Sequence, residues 1–418
     1  MTDWTTNSNE ALTLSLVRAA EDKRVLGANE SYEAFHPTFT YPIYGEDEKI
    51  YGYRDLVIDL RFASGSLAQY LSIRHAEKLG SSSTVDDVEG TLKEYIPPNY
   101  DTDETAFLAR VEQDATAFKP TGTLIHSYTR PSPTPDTPPV EYEVYHATWQ
   151  DPGFREYHQR MQLFILLYIE AGSYINDEED GWEFVVLYEK RKREGAEGAV
   201  TYHFIGYSSL YNFYCFPEKV RMRLSQFVIL PPYQRQGHGS ELYTAIYTYV
   251  LSQPHISELT VEDPAEAFED LRDRNDLRTL LAHARFMQEA FGEADVSHGG
   301  GRVQKVRGRG RAGEGGGKGK GKGKMGPPVD KAWAETWRRD LKIAGRQFQR
   351  LVEMLTLMHL DPADVRGARA YRLQVKERLY RFNFEILAQL EKQERLEKLE
   401  ETFQSVREDY LRILAMVK

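Results

Sequence analysis

Residues 230–243 read LPPYQRQGHGSELY, placed between an aliphatic and aromatic run and a helical pattern, and few folds accept that passage. Neither Pro231 nor Pro232 can donate to a β ladder, so the strand ending in FVIL must stop there. Gln234, Arg235, Gln236, Gly237, His238 and Gly239 then turn the chain, and a helix starts near Ser240. Leu242, Ile246 and Tyr249/Val250 fall on one face of that helix. Glycines accept positive φ and let backbone approach a ligand closely. Successive N–H groups at a helix start cradle an anion, with the helix dipole adding to the attraction. A Walker loop would end in Gly-Lys-Ser/Thr, whereas Ser240-Glu241 follow Gly239, which disfavours nucleotide hydrolysis. A Rossmann loop needs a third glycine and a following parallel unit, also missing. By spacing alone, a plain turn and a pyrophosphate cradle both remain. His238 has no histidine partner at helical spacing, so it orients the loop and no metal is expected.

Strand-like runs precede the loop at residues 182–190, 200–216 and 221–230, and a short one follows at 257–263. Residues 154–175 and 264–291 carry helical spacing. The order strand, strand, strand, loop, helix, strand, helix predicts an α/β (α+β) fold, a mixed sheet flanked by helices. Nearer the N-terminus, residues 41–75 read as two strands around the GEDE turn at 45–48, then a strand pair broken by ASGS. The Pro-rich residues 132–139 read as a connection between domains. We expect domains at 1–140, 141–290 and 330–418, with a disordered linker over 291–329.

The net charge of −11 hides a split. Residues 299–328 hold nine Lys/Arg against Glu314, leaving 44 basic and 63 acidic residues elsewhere, a charge of about −19. A surface that acidic repels nucleic acid and favours basic partners. The 299–328 tract is low in complexity and cannot bury a core. Its G-x-G-x-x-G match at Gly308, Gly310 and Gly313 has no strand before it and no helix after it. Beyond it, Leu396, Leu399, Phe403, Val406, Tyr410 and Ile413 form an apolar stripe, read as a helix packed on its own domain. Cys215 is the only cysteine, which excludes an intrachain disulfide and fits a reducing compartment. Its aromatic surroundings would raise the thiol pKa, a poor setting for an acyl-enzyme nucleophile. The N-terminal residues lack the pattern of a signal peptide, and the longest apolar run, FILLYI, is too short to span a bilayer. A soluble, intracellular protein is expected.

The Gln-x-x-Gly-x-Gly spacing between strand and helix resembles the acetyl-CoA-binding segment of the GNAT acetyltransferases. The longer stretches RLSQFVILPPYQRQGHGSELY and LTVEDPAEAFEDLRDRND resemble the catalytic subunit of type B histone acetyltransferases, particularly the fungal form. So do FHPTFTYPIYGEDEKIYGYRDLVIDLRFASGSL, LYIEAGSYINDEEDGWEFVVLYE and YSSLYNFYCFPEKVRMR, together covering most of residues 30–290. The Gly/Lys-rich insert stands outside that pattern, and the helical tail matches it loosely. The resemblance implies a GNAT core that moves acetyl from acetyl-CoA to lysines in the tail of newly made histone H4. It implies cofactor contacts at Phe227, Val228 and Ile229 and through the loop from Gln234 to Ser240. It implies Glu262 as general base, with Asp263 and Glu170 as companion carboxylates. Histone-tail contacts are implied at Glu46, Asp47 and Glu48 and at Tyr211, Asn212 and Phe213. Histone H4 with H3 and a WD-repeat histone-binding subunit are the implied partners, in cytoplasm and nucleus.

The residues support that chemistry in their own right. On the order of one lysine in a thousand is neutral at pH 7, so an amine acceptor needs a proton acceptor beside it. Glu262 and Asp263 are adjacent at a strand end and point to opposite faces. Asp263 precedes Pro264, with Glu266 three residues on, and reads as a helix N-cap. Glu262 has no such role, which makes it the better base. A backbone N–H near residues 227–229 is the natural donor to the thioester oxygen. The rival readings are an acetyltransferase for another amine and a non-catalytic histone escort. A nucleic-acid binder built on the basic tract is a third, and no sequence-specific nucleic-acid binding is expected.

Overall fold

β-Branched and aromatic residues crowd the centre of the chain, and there it forms its long ladders. The computed structural model describes residues 4–28, 30–80, 84–132, 138–193, 199–292 and 323–417. They fall into two compact units, one of residues 1–256 and 260–262, the other of residues 257–259 and 263–418. Among the described residues no helix is long and apolar enough to cross a membrane.

In the first unit, β1 (Leu12–Val17), β2 (Val57–Ala63) and β3 (Gln69–Arg74) form a three-stranded sheet ordered β1-β2-β3. Helix α1 (Glu104–Ala117) packs Phe107 and Val111 against its Val17, Ala63 and Tyr70. A six-stranded sheet is built from β4 (Thr123–Arg130), β5 (Val140–Thr148), β6 (Trp182–Lys192), β7 (Val200–Cys215), β8 (Lys219–Ile229) and β9 (Ile256–Val261). Its spatial order is β9-β8-β7-β6-β5-β4. The four pairs from β4 to β8 are antiparallel. The last is parallel, because Val220 N donates to His255 O while Glu262 N donates to Leu224 O, both at 3.0 Å. The sheet is therefore mixed. Helices α2 (Phe154–Met161) and α3 (Leu163–Tyr168) seat Phe164 between Phe62 of the small sheet and Phe204 of β7. Helix α4 (His238–Ser252) follows β8 and buries Leu242, Ile246 and Val250 on the face its spacing predicts.

Two expectations here are corrected. Residues 41–44 are a helical turn, because Pro42 suits a first turn and cannot serve a ladder. Beyond the GEDE turn Lys49–Tyr51 is a strand, paired with Thr5–Asn7. The Pro-rich stretch falls between β4 and β5, which pair in one sheet, and so does not separate two domains; its residues 133–137 lie outside the described residues.

The second unit is helical: α5 (Glu266–Ala282), α6 (Ala284–Phe291), α7 (Lys331–Asp340), α8 (Gly345–His359), α9 (Val365–Phe382) and α10 (Lys392–Val417). The α10 stripe packs inward, with Leu399, Phe403, Tyr410 and Ile413 buried and Leu396 left exposed. The expected disorder over residues 291–329 does not hold at either described end. Residue 291 closes α6, while Met325 is buried and its N–H donates to Ala290 O at 2.9 Å. Gly323 permits that approach, since a Cβ there would stand 2.1 Å from the same carbonyl. The basic tract over residues 293–322 lies outside the described residues.

Candidate active site

Strand β8 outruns its neighbour. Its last rung with β9 is the bond from Glu262 N to Leu224 O, and β8 continues to Ile229. At that point the ladder with β7 slips: Ser209 faces Gln226 and Leu210 faces Leu224, leaving Ser225 as the extra residue of a bulge. Gln226 pins the distortion. Its carbonyl accepts from Ser208 Oγ at 2.7 Å, its Oε1 from Ser209 Oγ at 2.9 Å, and its Nε2 donates to Ser173 O at 2.8 Å. Leu230 N donates to Ile205 O on β7 at 2.9 Å, so by alternation Val228 also turns toward β7. Phe227 and Ile229 turn their backbone groups the other way, along the edge that β9 leaves. Of the three expected cofactor residues, Phe227 and Ile229 thus face the edge, and Val228 serves the sheet.

The edge leads straight into the loop. A 3₁₀ turn at Pro231–Tyr233 ends the strand, and Gln234 Nε2 folds back onto Ile229 O at 2.8 Å. Gln236 Nε2 donates to Pro232 O at 2.9 Å, and Arg235 takes φ 61°. Gly237 caps α4 at φ 85°, a left-handed conformation that favours glycine. Glu241 N reaches back to Gly237 O at 3.2 Å. The N–H groups of His238 and Gly239 have no backbone acceptor among the described residues, as is usual for the first N–H groups of a helix. Ser240 sits in the same first turn.

The His238 side chain points inward. It is 1% exposed, its Nδ1 lies 2.6 Å from Tyr128 Oη, and it rests on the rings of Tyr142 and Tyr233. Burial, and then the charge of Arg130, lower its pKa to about 4, so the ring is neutral at physiological pH. The unfolded ring titrates near 6.5. Its contribution to stability is therefore present above pH 6.5 and lost as pH falls toward 4. Urea unfolding at pH 7 and pH 4.5 should show the wild type losing about 2–3 kcal/mol more than His238→Gln. Equal losses in the two proteins would refute the buried-neutral assignment.

Tyr233 anchors the loop from below. Its hydroxyl accepts from Arg18 Nη2 at 2.9 Å and donates to Glu189 Oε2 at 3.2 Å. Arg18 and Glu189 form a bidentate ion pair with side chains 2% and 0% exposed. Burial works to raise the Glu189 carboxyl, but the charges of Arg18 and Arg191 hold it well below the usual carboxylate range.

Glu262 occupies the other side of β8. Arg223 Nη1 lies 3.2 Å from its Oε1, and the same guanidinium sits over the Phe213 ring at 4.5 Å. Tyr211, the ladder partner of Arg223, packs on Phe213 and Trp182. One face of the sheet thus gathers Glu262, Arg223, Tyr211 and Phe213. Asn212 points to the opposite face, as strand alternation requires. There it donates to Glu183, which also takes Tyr249 Oη at 2.8 Å and His146 Nε2 at 2.7 Å. Burial tends to raise Glu183, but these hydrogen bonds outweigh it and leave its pKa lowered.

The remaining acids separate. Glu170 is exposed at the end of α3, three residues before the Ser173 carbonyl held by Gln226. Asp263 belongs to the second unit, is exposed and takes φ 31°, but the expected N-cap role falls to Ala265, with α5 starting at Glu266. The strained turn at Asp263-Pro264 delays the helix. Glu46 and Asp47 are exposed. Glu48 instead clamps the chain: Oε1 accepts from Thr40 N at 2.8 Å and Oε2 from Asn9 Nδ2 at 2.6 Å. Sequence reasoning missed Arg223 and the Arg18–Glu189 pair, whose partners lie on different elements and leave no local spacing to read.

Comparison with known proteins bears on the chain as a whole. The family model described as "Histone acetyl transferase HAT1 N-terminus" matches residues 4–170, and "Fungal HAT1, C-terminal" matches residues 320–361. The first part of the helical tail, through residue 361, is therefore matched by a family model. The chain is 48% identical over 435 residues to the histone acetyltransferase type B catalytic subunit of Cryptococcus neoformans var. neoformans serotype D, covering 99% of this chain and 98% of that one. It is 42% identical over 430 residues to the corresponding subunit of Mycosarcoma maydis, covering 97% and 87%. Among solved structures it is similar to an aminoglycoside acetyltransferase from a soil metagenomic sample, with 15% identity and a TM-score of 0.22, over 32% of this chain and 86% of that one.

Proposed function

The chain belongs to the histone acetyltransferase type B catalytic subunits, and from that premise we propose that it acetylates lysine side chains in the tail of newly made histone H4. The observation that carries the proposal is the β8 edge, which runs past the end of β9 into the left-handed Gly237 and the start of α4. An extended thioester donor such as acetyl-CoA can lie along that edge with its diphosphate at the helix start. Phe227 or Ile229 N–H then faces the thioester oxygen and stabilises the charge that builds there. Glu262 projects from the next strand beside the aromatic faces of Tyr211 and Phe213. A carboxylate with aromatic faces is a setting that attracts an alkylammonium. Glu262 takes the proton, and the neutral amine attacks the acetyl carbonyl; the C–N bond forms, the C–S bond breaks, and the second proton lost from the nitrogen ends on the departing sulfur, giving the CoA thiol. Asp263 and Glu170 add negative charge for a Lys-rich tail, as do Glu46 and Asp47. Histone H4 with H3 and a WD-repeat subunit are the proposed partners, in cytoplasm and nucleus.

Labelled acetyl-CoA supplied with an H4-tail peptide should label the peptide. The same peptide with its lysines changed to Arg, and free polyamine, should stay unlabelled. Equal labelling of polyamine would favour the reading as an acetyltransferase for other amines. No labelling of the lysine peptide would overturn the proposal.

A further inference from the structure

Arg130 ends β4, far in sequence from the loop, yet its guanidinium lies against Gly237. A Cβ built on Gly237 would stand 2.8 Å from Arg130 Nη2. Glu241 in the first turn of α4 holds the guanidinium, Oε1 to Nη2 at 3.1 Å, and the Tyr128 ring lies 5.4 Å away. Glu241 is shared, because its Oε2 also takes His126 Nε2 at 3.1 Å. Among the described residues, Arg130 Nε is buried and has no hydrogen-bond partner.

That placement sets a guanidinium against the first turn of a helix. The start of a helix already carries partial positive charge, and a cation there is disfavoured. Glu241 divides its two oxygens between Arg130 and the His126 ring, while Arg235 stands exposed in the same loop. An anion at the helix start would balance the excess and give the guanidinium fork two oxygens to bridge.

We propose that Arg130 is a binding residue for the diphosphate of the acyl donor, acting beside the backbone N–H groups of the Gln234–Gly239 loop. The inference rests on the acetyl-CoA reading of that loop. A charge-assisted pair of hydrogen bonds to phosphate corresponds to a KM for acetyl-CoA raised about 10- to 100-fold in Arg130→Gln. The value of kcat should change little, because the guanidinium is remote from the acetyl carbonyl.

Three donors test it: acetyl-CoA, acetyl-dephospho-CoA without the 3′-phosphate, and acetyl-pantetheine without any phosphate. The Arg130→Gln penalty in kcat/KM should be the same for the first two and vanish with the third. Arg130→Lys should recover part of it, keeping the charge and losing the fork. A penalty that persists with acetyl-pantetheine would make Arg130 a merely structural residue. One that disappears already with acetyl-dephospho-CoA would move the contact to the 3′-phosphate, and either result overturns the proposal. If wild type transferred acetyl from none of the donors, the acetyltransferase reading itself would fail, a result distinct from both.

Discussion

Glu262→Gln is expected to lower kcat on an H4-tail peptide by about 10²- to 10⁴-fold, the usual worth of a positioned base. The KM for peptide and for acetyl-CoA should move little. Glutamine keeps the shape and can still accept from Arg223 Nη1, so the 3.2 Å contact and the bond from Glu262 N to Leu224 O need not be lost. What disappears is an oxygen able to take the ammonium proton. The Glu262 side chain is 41% exposed, so a proton received there passes readily to solvent once the amine has reacted. Steady-state rates with peptide at saturating acetyl-CoA decide the matter. A Glu262→Gln enzyme within threefold of wild type would remove Glu262 as base and transfer the role to Glu170 or Asp263. Those two, changed to Gln and Asn, are expected to have smaller effects, since neither makes the backbone bond to β8 that positions Glu262.

The largest stability effect is expected beneath the loop. Glu189→Gln leaves Arg18 and Arg191 beside an amide that cannot answer their charge. Breaking one side of a buried pair costs about 3–5 kcal/mol, because the surviving charges have no water to turn to. For a chain of this size that is a fall in Tm on the order of 10 °C. The same substitution weakens the anchor of Tyr233, whose hydroxyl donates to Glu189 at 3.2 Å, and the KM for acetyl-CoA should rise with it. Calorimetry and urea unfolding read the first effect, and initial rates at varied acetyl-CoA read the second. A loss below 1 kcal/mol would mean that Arg18 and Arg191 find other compensation.

The passage from strand to 3₁₀ turn to helix was legible because it is local. Pro231 and Pro232 stop a ladder, Gly237 permits φ 85°, and the 3.6-residue spacing of Leu242 and Ile246 declares the helix. The same holds for the α10 stripe, where Leu399 and Phe403 pack as the periodicity requires. Contacts made across the ladders were not legible. Arg223 meets Glu262, and Arg130 meets Gly237, only because β7, β8 and β9, or β4 and α4, are brought together. Tyr211, Asn212 and Phe213 were grouped from resemblance, but a strand sends neighbours to opposite faces, and Asn212 joins Glu183 instead. Asp263 looked like an N-cap because Pro264 follows, yet its positive φ defers the helix start to Glu266.

The parallel pairing of β8 and β9 carries one further consequence. On the proposed reading, the reach from donor to proton acceptor would be set by where β9 ends against Leu224. Adding or deleting one residue between Thr260 and Glu262 would turn the carboxylate through the sheet to the α4 side. The connection at 132–139 can change length without touching that count. The proposed catalytic geometry would then be stored as a ruler length in one short strand.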